Sequence, residues 1–168
     1  MKIELLDKTK KKRIIAQIEK FGIKKIPQLL IRTGTERIRA YSGSLSNEEI
    51  VSLWSFLPFE GIGLYVAKEI TDRHARTAVR LSVDALHLWK NQISENIFIL
   101  TKEQEAQWFL GKNIELNEEQ KKLWENRSDY VAVKSSDEND FIGMGKINGG
   151  LIYNYLPKER RRKSQVIS

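Results

Sequence analysis

Residues 143–162 read GMGKINGGLIYNYLPKERRR. Asn148, Gly149 and Gly150 are turn formers between two apolar runs, Phe141 to Ile147 and Leu151 to Leu156, and that pattern predicts a β-hairpin. The second strand delivers the chain into Pro157, Lys158, Arg160, Arg161 and Arg162. A rigid proline at a strand end fixes where the charges start, and closely spaced guanidinium groups offer forked donors to phosphate. The segment is therefore a candidate phosphate clamp. Lys146 and Asn154 lie within or beside the hairpin, where the backbone holds side chains in register, which makes them candidates for positioning or base contacts. Asn154 brings both donor and acceptor to that task.

Upstream of the hairpin the signals are short and mixed. Tyr130 to Val133 reads as a strand, and Asp137 to Asp140 as a turn; that run lacks the glycine and the distal glutamate of a calcium loop. Asn117 is placed to cap a helix bearing Leu123 and Trp124. Thr101 and Gln104 form a capping box ahead of Ala106, Phe109 and Leu110, with Gly111 as the stop. Ile97 to Leu100 and Ala75 to Leu81 read as strands, with Ser82 capping a helix through Ala85, Leu86 and Trp89. Short strands with few helices between them predict a small, partly open barrel over residues 72–168.

The first part has a different rhythm. Ile14, Ile15, Ile18 and Phe21 share one helix face that Gly22 ends, and Gln28 to Thr33 with Glu36 to Ser42 read as a hairpin whose Arg37, Arg39 and Tyr41 share a basic face. Ser46 and Glu49 form a capping box before Ile50, Leu53, Trp54 and Leu57, spaced as a buried face and stopped by Pro58. Gly61 to Ile70 reads as a strand, and the charged break Thr71, Asp72, Arg73 sets the expected domain boundary. The expected class is α+β, with a small N-terminal α/β domain at residues 1–71 and the barrel at 72–168. The four tryptophans, at positions 54, 89, 108 and 124, fall on expected helices and read as core.

Composition narrows the chemistry. The chain has 168 residues, 40% hydrophobic and 30% charged, which suits folded domains with a real core rather than disorder. No apolar run is long enough to span a membrane, and Glu4 and Asp7 interrupt the opening residues where a signal peptide would be apolar. A cytoplasmic location is expected. The absence of cysteine removes disulfides, thiolate metal sites and thiol nucleophiles, and with only His74 and His87 a zinc site is not expected. Neither Gly145-Lys146 nor Gly111-Lys112 is followed by the Ser or Thr of a P-loop, and no nucleophile elbow occurs. Gly61-Ile62-Gly63 and Gly143-Met144-Gly145 lack the following helix of a dinucleotide fingerprint. No cofactor, metal or catalytic residue is expected, so the chain reads as a binder rather than an enzyme.

Its net charge of +7 points to a polyanion. Residues 1–71 hold 13 basic and 8 acidic side chains, residues 101–140 hold 6 and 10, and residues 141–168 hold 6 and 1. Phosphate is expected at the ends of the chain, around Lys8 to Arg13 and Lys158 to Lys163, and away from the acidic segment.

The G-x-G-K, short turn, N-x-x-P-K-x-x-R-R order of residues 143–162 resembles the end of the PUA-like RNA-binding module at the C-terminus of Sun-type RNA cytosine-5 methyltransferases. Arg73-His74-Ala75 with Ala78, Val79 and Leu81 looks like the His-Ala segment of that module, and residues 100–111 look like its short helix ending in Leu-x-Gly. The resemblance extends over about residues 72–163. The first part is similar, more loosely, to the α/β domain that precedes the PUA domain in archaeal and eukaryotic ribosome-biogenesis factors of the Nip type, through Arg32, Arg37, Arg39 and the strand at 61–70.

These resemblances imply binding to structured rRNA or tRNA, with Arg73, His74, Arg76, Gly143, Gly145, Lys146, Asn154, Lys158, Arg160, Arg161 and Arg162 as RNA-binding residues. They also imply a role in RNA modification or ribosome biogenesis, alongside a separate methyltransferase or a ribosome-assembly protein. Cytosine-5 methylation uses a cysteine to attack C6 of the base, and this chain has neither that cysteine nor room for a cofactor-binding sheet. A free-standing accessory module is the expectation. The alternative is a protein-interaction adaptor whose basic termini touch an acidic partner.

Overall fold

A computed structural model describes residues 2–57, 61–124 and 126–163. The chain divides into two compact units, Met1–Gln92 and Ile93–Ser168, each with a five-stranded sheet of its own. The class is mixed α+β, as the sequence predicts.

In the first unit, β1 (Ile3–Leu5), β2 (Leu29–Thr33), β3 (Arg37–Tyr41), β4 (Leu64–Thr71) and β5 (Thr77–Leu81) lie in that order, every neighbouring pair antiparallel. One face carries Leu30, Ile38, Ala40, Ala67, Val79 and Leu81, all buried. The helix α1 (Lys8–Ile18) buries Ile14 and Ile18, and a short 3₁₀ turn carries Phe21 into the core before Gly22 closes it in the left-handed region at φ 95°.

The basic run near the N-terminus is part of this framework rather than a loose tail. Asp7 caps α1 by accepting from the Lys10 amide at 2.8 Å, so the helix starts at Lys8, six residues before the first residue of the apolar periodicity, Ile14. Lys11 Nζ donates to the Gln28 carbonyl at 2.7 Å, and burial pushes its pKa down. Lys10 pairs with Glu4.

The expected boundary after Thr71 falls inside the sheet, because β4 and β5 pair across it from Ala67–Leu81 to Thr71–Thr77. The helix α3 (Val83–Leu88), capped by Ser82 as its sequence predicts, belongs to the same unit. Trp89 Nε1 donates to Gln28 Oε1 at 3.3 Å, and Gln92 Oε1 accepts from the amides of Lys24 and Lys25 at 3.1 and 3.0 Å. These bonds tie residues up to 92 to the first unit, which moves the boundary from 71/72 to 92/93.

The capping box of Ser46 and Glu49 opens α2 (Asn47–Phe56) as expected. Its apolar face is not the buried one anticipated: Ile50 is buried, whereas Leu53 is 37% and Leu57 63% exposed. Pro58, the expected stop, lies outside the described residues.

The second unit orders its strands β6 (Ile97–Ile99), β8 (Tyr130–Lys134), β9 (Phe141–Asn148), β10 (Leu151–Asn154) and β7 (Ile114–Glu115). The β6–β8 pair is parallel and the others antiparallel, in a curled half-barrel. The capping box anticipated at Thr101 opens α4 (Lys102–Phe109) and the cap anticipated at Asn117 opens α5 (Glu118–Trp124), where Gln120 returns a bond to the Asn117 amide; Gln104 and Gln120 exchange side-chain hydrogen bonds at 2.8 and 2.9 Å. Trp89 and Trp108 are core residues; Trp54 and Trp124 are only half-buried, the latter against the Phe98 ring at 5.8 Å. Strands β1 and β7 are too short to leave a periodic signal, and the sequence reading omits both.

Candidate nucleic-acid interface

The β9–β10 hairpin turns through Gly149 and Gly150, both at positive φ (59° and 79°), as a two-residue loop between twisted strands requires. In register, Gly145 faces Asn154, Lys146 faces Tyr153 and Ile147 faces Ile152. Side chains alternate between the two faces of a strand, so Gly143 and Gly145 share one face while Lys146 and Tyr153 share the other.

The glycine face belongs to Trp108. A Cβ on Gly143 would lie 3.0 Å from Trp108 Cζ2, and one on Gly145 would lie 2.4 Å from Ile152 Cγ2 and 3.4 Å from Trp108 Cη2. Trp108 is fully buried, and its Nε1 donates to the Ile142 carbonyl at 3.3 Å. Both glycines, expected as RNA contacts, are buried; Gly143 makes room for this indole and Gly145 for the Ile152 side chain beside it. Their G-x-G spacing arises from strand alternation beneath one ring.

Asn154 is likewise committed to the fold. Its Nδ2 donates to the carbonyls of Trp108 (2.8 Å) and Lys112 (3.0 Å), and its Oδ1 accepts from the Leu156 amide at 2.8 Å. Both carboxamide hydrogens and the oxygen are in use. The expected base contact at Asn154 is thus replaced by a link between the end of α4 and the end of β10.

The tail is anchored from its start. Leu156 is buried, Pro157 leads into a 3₁₀ turn over Lys158–Arg160, and Arg161 Nε donates to the Leu156 carbonyl at 2.9 Å. The Arg162 amide donates to the Phe109 carbonyl at 2.7 Å, and its guanidinium lies 4.8 Å from the centre of the Phe109 ring. Arg161 is half-buried over Gly111, while Lys158, Arg160 and Arg162 are exposed. The fold therefore presents these cations from a fixed platform.

The opposite face of the hairpin holds Lys146, an expected contact, between two tyrosines that the sequence reading overlooked. Lys146 stands directly opposite Tyr130 on β8 and Tyr153 on β10, giving a cross-strand row of Tyr130, Lys146 and Tyr153. Lys146 Nζ lies 5.5 Å from the centre of the Tyr130 ring, and the Tyr155 ring is 5.9 Å from Tyr130 at 49°. Tyr153 is 40% exposed. Strand period two, applied across both hairpin strands, is the signal that would have found this row. It combines a cation with an open aromatic ring, the pairing that single-stranded bases stack on.

Arg73, His74 and Arg76 sit elsewhere, in the β4–β5 turn of the first unit. Asp72 organises that turn: its Oδ1 accepts from the amides of His74 and Arg76 at 2.8 and 2.9 Å, and its Oδ2 from Arg76 Nε at 3.0 Å. These bonds, led by the Arg76 amide, hold the carboxyl below its ordinary pKa. The three residues belong to a different unit from residues 143–162. Among the described residues no group of three or more His, Asp or Glu is placed to hold a metal ion. Among them, too, no helix is long and apolar enough to cross a membrane.

Residues 95–162 match the family described as the methyltransferase RsmF PUA domain. The match covers β6 through the anchored arginines and starts at residue 95 rather than near 72, so the His-Ala segment lies outside it. No curated protein matches the chain.

Proposed function

Residues 95–162 are a PUA domain of the RsmF methyltransferase type, an RNA-binding module associated with RNA methyltransferases, and from this we propose that the chain is a non-catalytic, cytoplasmic RNA-binding protein. Its ligand is structured rRNA or tRNA, and its role lies in RNA modification or ribosome biogenesis beside a separate methyltransferase. The observation that carries this reading is the coincidence of the matched segment with an exposed Tyr153 paired with half-buried Lys146 and, a few residues on, the anchored Lys158, Arg160 and Arg162. Backbone-positioned cations fix RNA register through phosphate, and an adjacent aromatic ring takes a base. The lack of cysteine supports an accessory role, since these 168 residues offer no nucleophile for attack on C6 of cytosine.

The test is binding of the purified chain to total RNA, followed by crosslinking and sequencing of both the RNA and the peptide. Enrichment of rRNA or tRNA, with crosslinks on Tyr153, Lys146 and residues 158–162, is the expected result. Binding absent at 50 mM salt, or crosslinks confined to the acidic segment 101–140, would instead favour an adaptor that meets an acidic protein.

A further inference from the structure

Where β2 begins and β3 ends, the first unit has an open cleft of about 480 Å³, a volume in the range of small-ligand sites. Leu29 and Tyr41 stand directly opposite each other in the register, so both side chains lie on the sheet face away from Leu30 and Ala40, and both line the cleft. Leu45 adds apolar surface, and Asn47, the first residue of α2, brings a carboxamide.

The cleft is held in shape from within the fold. Tyr41 Oη accepts from the Leu45 amide at 3.1 Å, and Gly43 passes so close to the phenol that a Cβ there would overlap its hydroxyl. Gln28, also in the lining, is fixed twice: its Oε1 accepts from Trp89 Nε1 at 3.3 Å and its main-chain carbonyl from Lys11 Nζ at 2.7 Å. Hydrogen-bonding capacity is left over. The Tyr41 hydroxyl keeps its own hydrogen to donate, and among the described residues neither Gln28 Nε2 nor the exposed Asn47 carboxamide has a partner.

None of the described residues that line the cleft is charged, in a chain where 30% are. A phosphate placed there meets no guanidinium or ammonium group of the lining, so the occupant is neutral. An aromatic ring with apolar side chains beside it suits a planar ring, and carboxamides match the donors and acceptors on the edge of a nucleobase. Positive charge stands just outside. Lys24 and Lys25 are exposed, three and two residues before Pro27 of the lining, and Gln92 fixes their backbone by accepting from both amides and donating to the Lys25 carbonyl at 2.8 Å. Beside Asn47 the exposed charge is instead the acidic Glu48. A strand with its base in the cleft therefore carries its phosphates past the two lysines.

We propose that this cleft takes one unpaired base of the bound RNA, which packs against Tyr41 and is read along its edge by Asn47 and Gln28. This rests on the RNA-binding function proposed above and adds a base-reading site outside the PUA domain.

The experiment compares the full chain with Asn47→Ala and Tyr41→Ala, measuring affinity against salt for the RNAs that the unmodified chain selects. Tyr41→Ala should lower affinity on the order of tenfold and Asn47→Ala several-fold. Neither residue is a cation, so the slope of log affinity against log salt should not change. Should Tyr41→Ala unfold, Asn47→Ala decides, since it removes an exposed side chain without a partner among the described residues and should leave the thermal midpoint level. Adenosine, cytidine, guanosine and uridine distinguish the source of the base. They should bind much more weakly than RNA and shift the side-chain amide resonances of Asn47; a nucleoside held as tightly as RNA would assign the cleft to a free nucleoside and overturn the strand reading. Unchanged RNA affinity in folded variants would overturn the proposal, and the PUA reading would stand if Tyr153→Ala still weakens binding. A chain that binds no RNA at all would remove both readings together.

Discussion

Asn154 donates to the main-chain carbonyl of Trp108 at 2.8 Å, and so joins the last residue of β10 to the last turn of α4. Because the same side chain also satisfies the Lys112 carbonyl and the Leu156 amide, Asn154→Ala leaves up to three polar groups without partners. The expected loss of stability is about 1–3 kcal/mol, read from denaturant unfolding. RNA preference should not change in the fraction that stays folded. A stable variant with altered RNA choice would return Asn154 to the interface.

Trp108 makes a second demand, on glycine. In Gly145→Ala the new methyl would come within 2.4 Å of Ile152 Cγ2, on a fully buried residue, and 3.3 Å of the Tyr153 carbonyl oxygen. Overpacking of this kind costs about 1–3 kcal/mol. Tryptophan fluorescence should shift as the packing beside Trp108 loosens, and an unperturbed variant would show that the Ile152 side chain can turn aside.

These two residues show where the sequence was legible and where it misled. Ser46, Ser82, Thr101 and Asn117 were readable as caps because the bond each makes reaches only three residues along the chain. Gly143, Gly145 and Asn154 carried a recognisable motif, yet their partner is Trp108, on another element, and nothing local tells a glycine kept for an indole from one kept for a ligand. The Lys8–Arg13 run was legible only as positive charge open to phosphate, because Asp7 as a cap and Gln28 as an acceptor for Lys11 are known only once the strands are in place. The boundary went astray for the same reason. A charged break was read as a linker, although β5 returns along β4 immediately after it.

Glu4 gives the first unit a dependence on acid. Its hydrogen bonds from Lys10, then Arg32, hold the carboxyl below its ordinary value of 4.5, so the folded state binds the proton less readily than the unfolded chain. The stability from this group is present above about pH 4.5 and is lost as pH falls through the lowered value. Glu4→Gln should be less stable than the unmodified chain at pH 7 and converge with it towards pH 3, as followed by thermal melts. Parallel melting curves over that range would show that Glu4 contributes nothing through its charge.

The tail cations divide by their contacts. Lys158 is exposed on the 3₁₀ turn, whereas Arg161 is bonded to the Leu156 carbonyl. Replacing Lys158 with Ala should flatten the salt dependence of RNA binding by roughly 0.7–0.9 and leave stability within about 0.5 kcal/mol. Arg161→Ala should lower the thermal midpoint as well. Equal effects of the two variants on salt dependence, with none on stability, would mean that the anchoring of the tail is not maintained in solution.

Tyr153 and Lys146 allow base stacking to be separated from charge. They face each other across β9 and β10, but Lys146 also lies against the Tyr130 ring, while Tyr153 is 40% exposed with its ring open to a ligand. Stacking on an aromatic ring contributes about 1–3 kcal/mol per base and involves no counterion release, so Tyr153→Ala should weaken RNA binding by that amount at every salt concentration. Tyr153→Phe keeps the ring and should restore most of the affinity. Lys146→Ala should instead change the slope by roughly 0.7–0.9 if its ammonium meets a phosphate. If Tyr153→Ala alters only the slope, or binds RNA as the unmodified chain does, bases do not stack on this row and the PUA domain holds its RNA through the anchored cations alone.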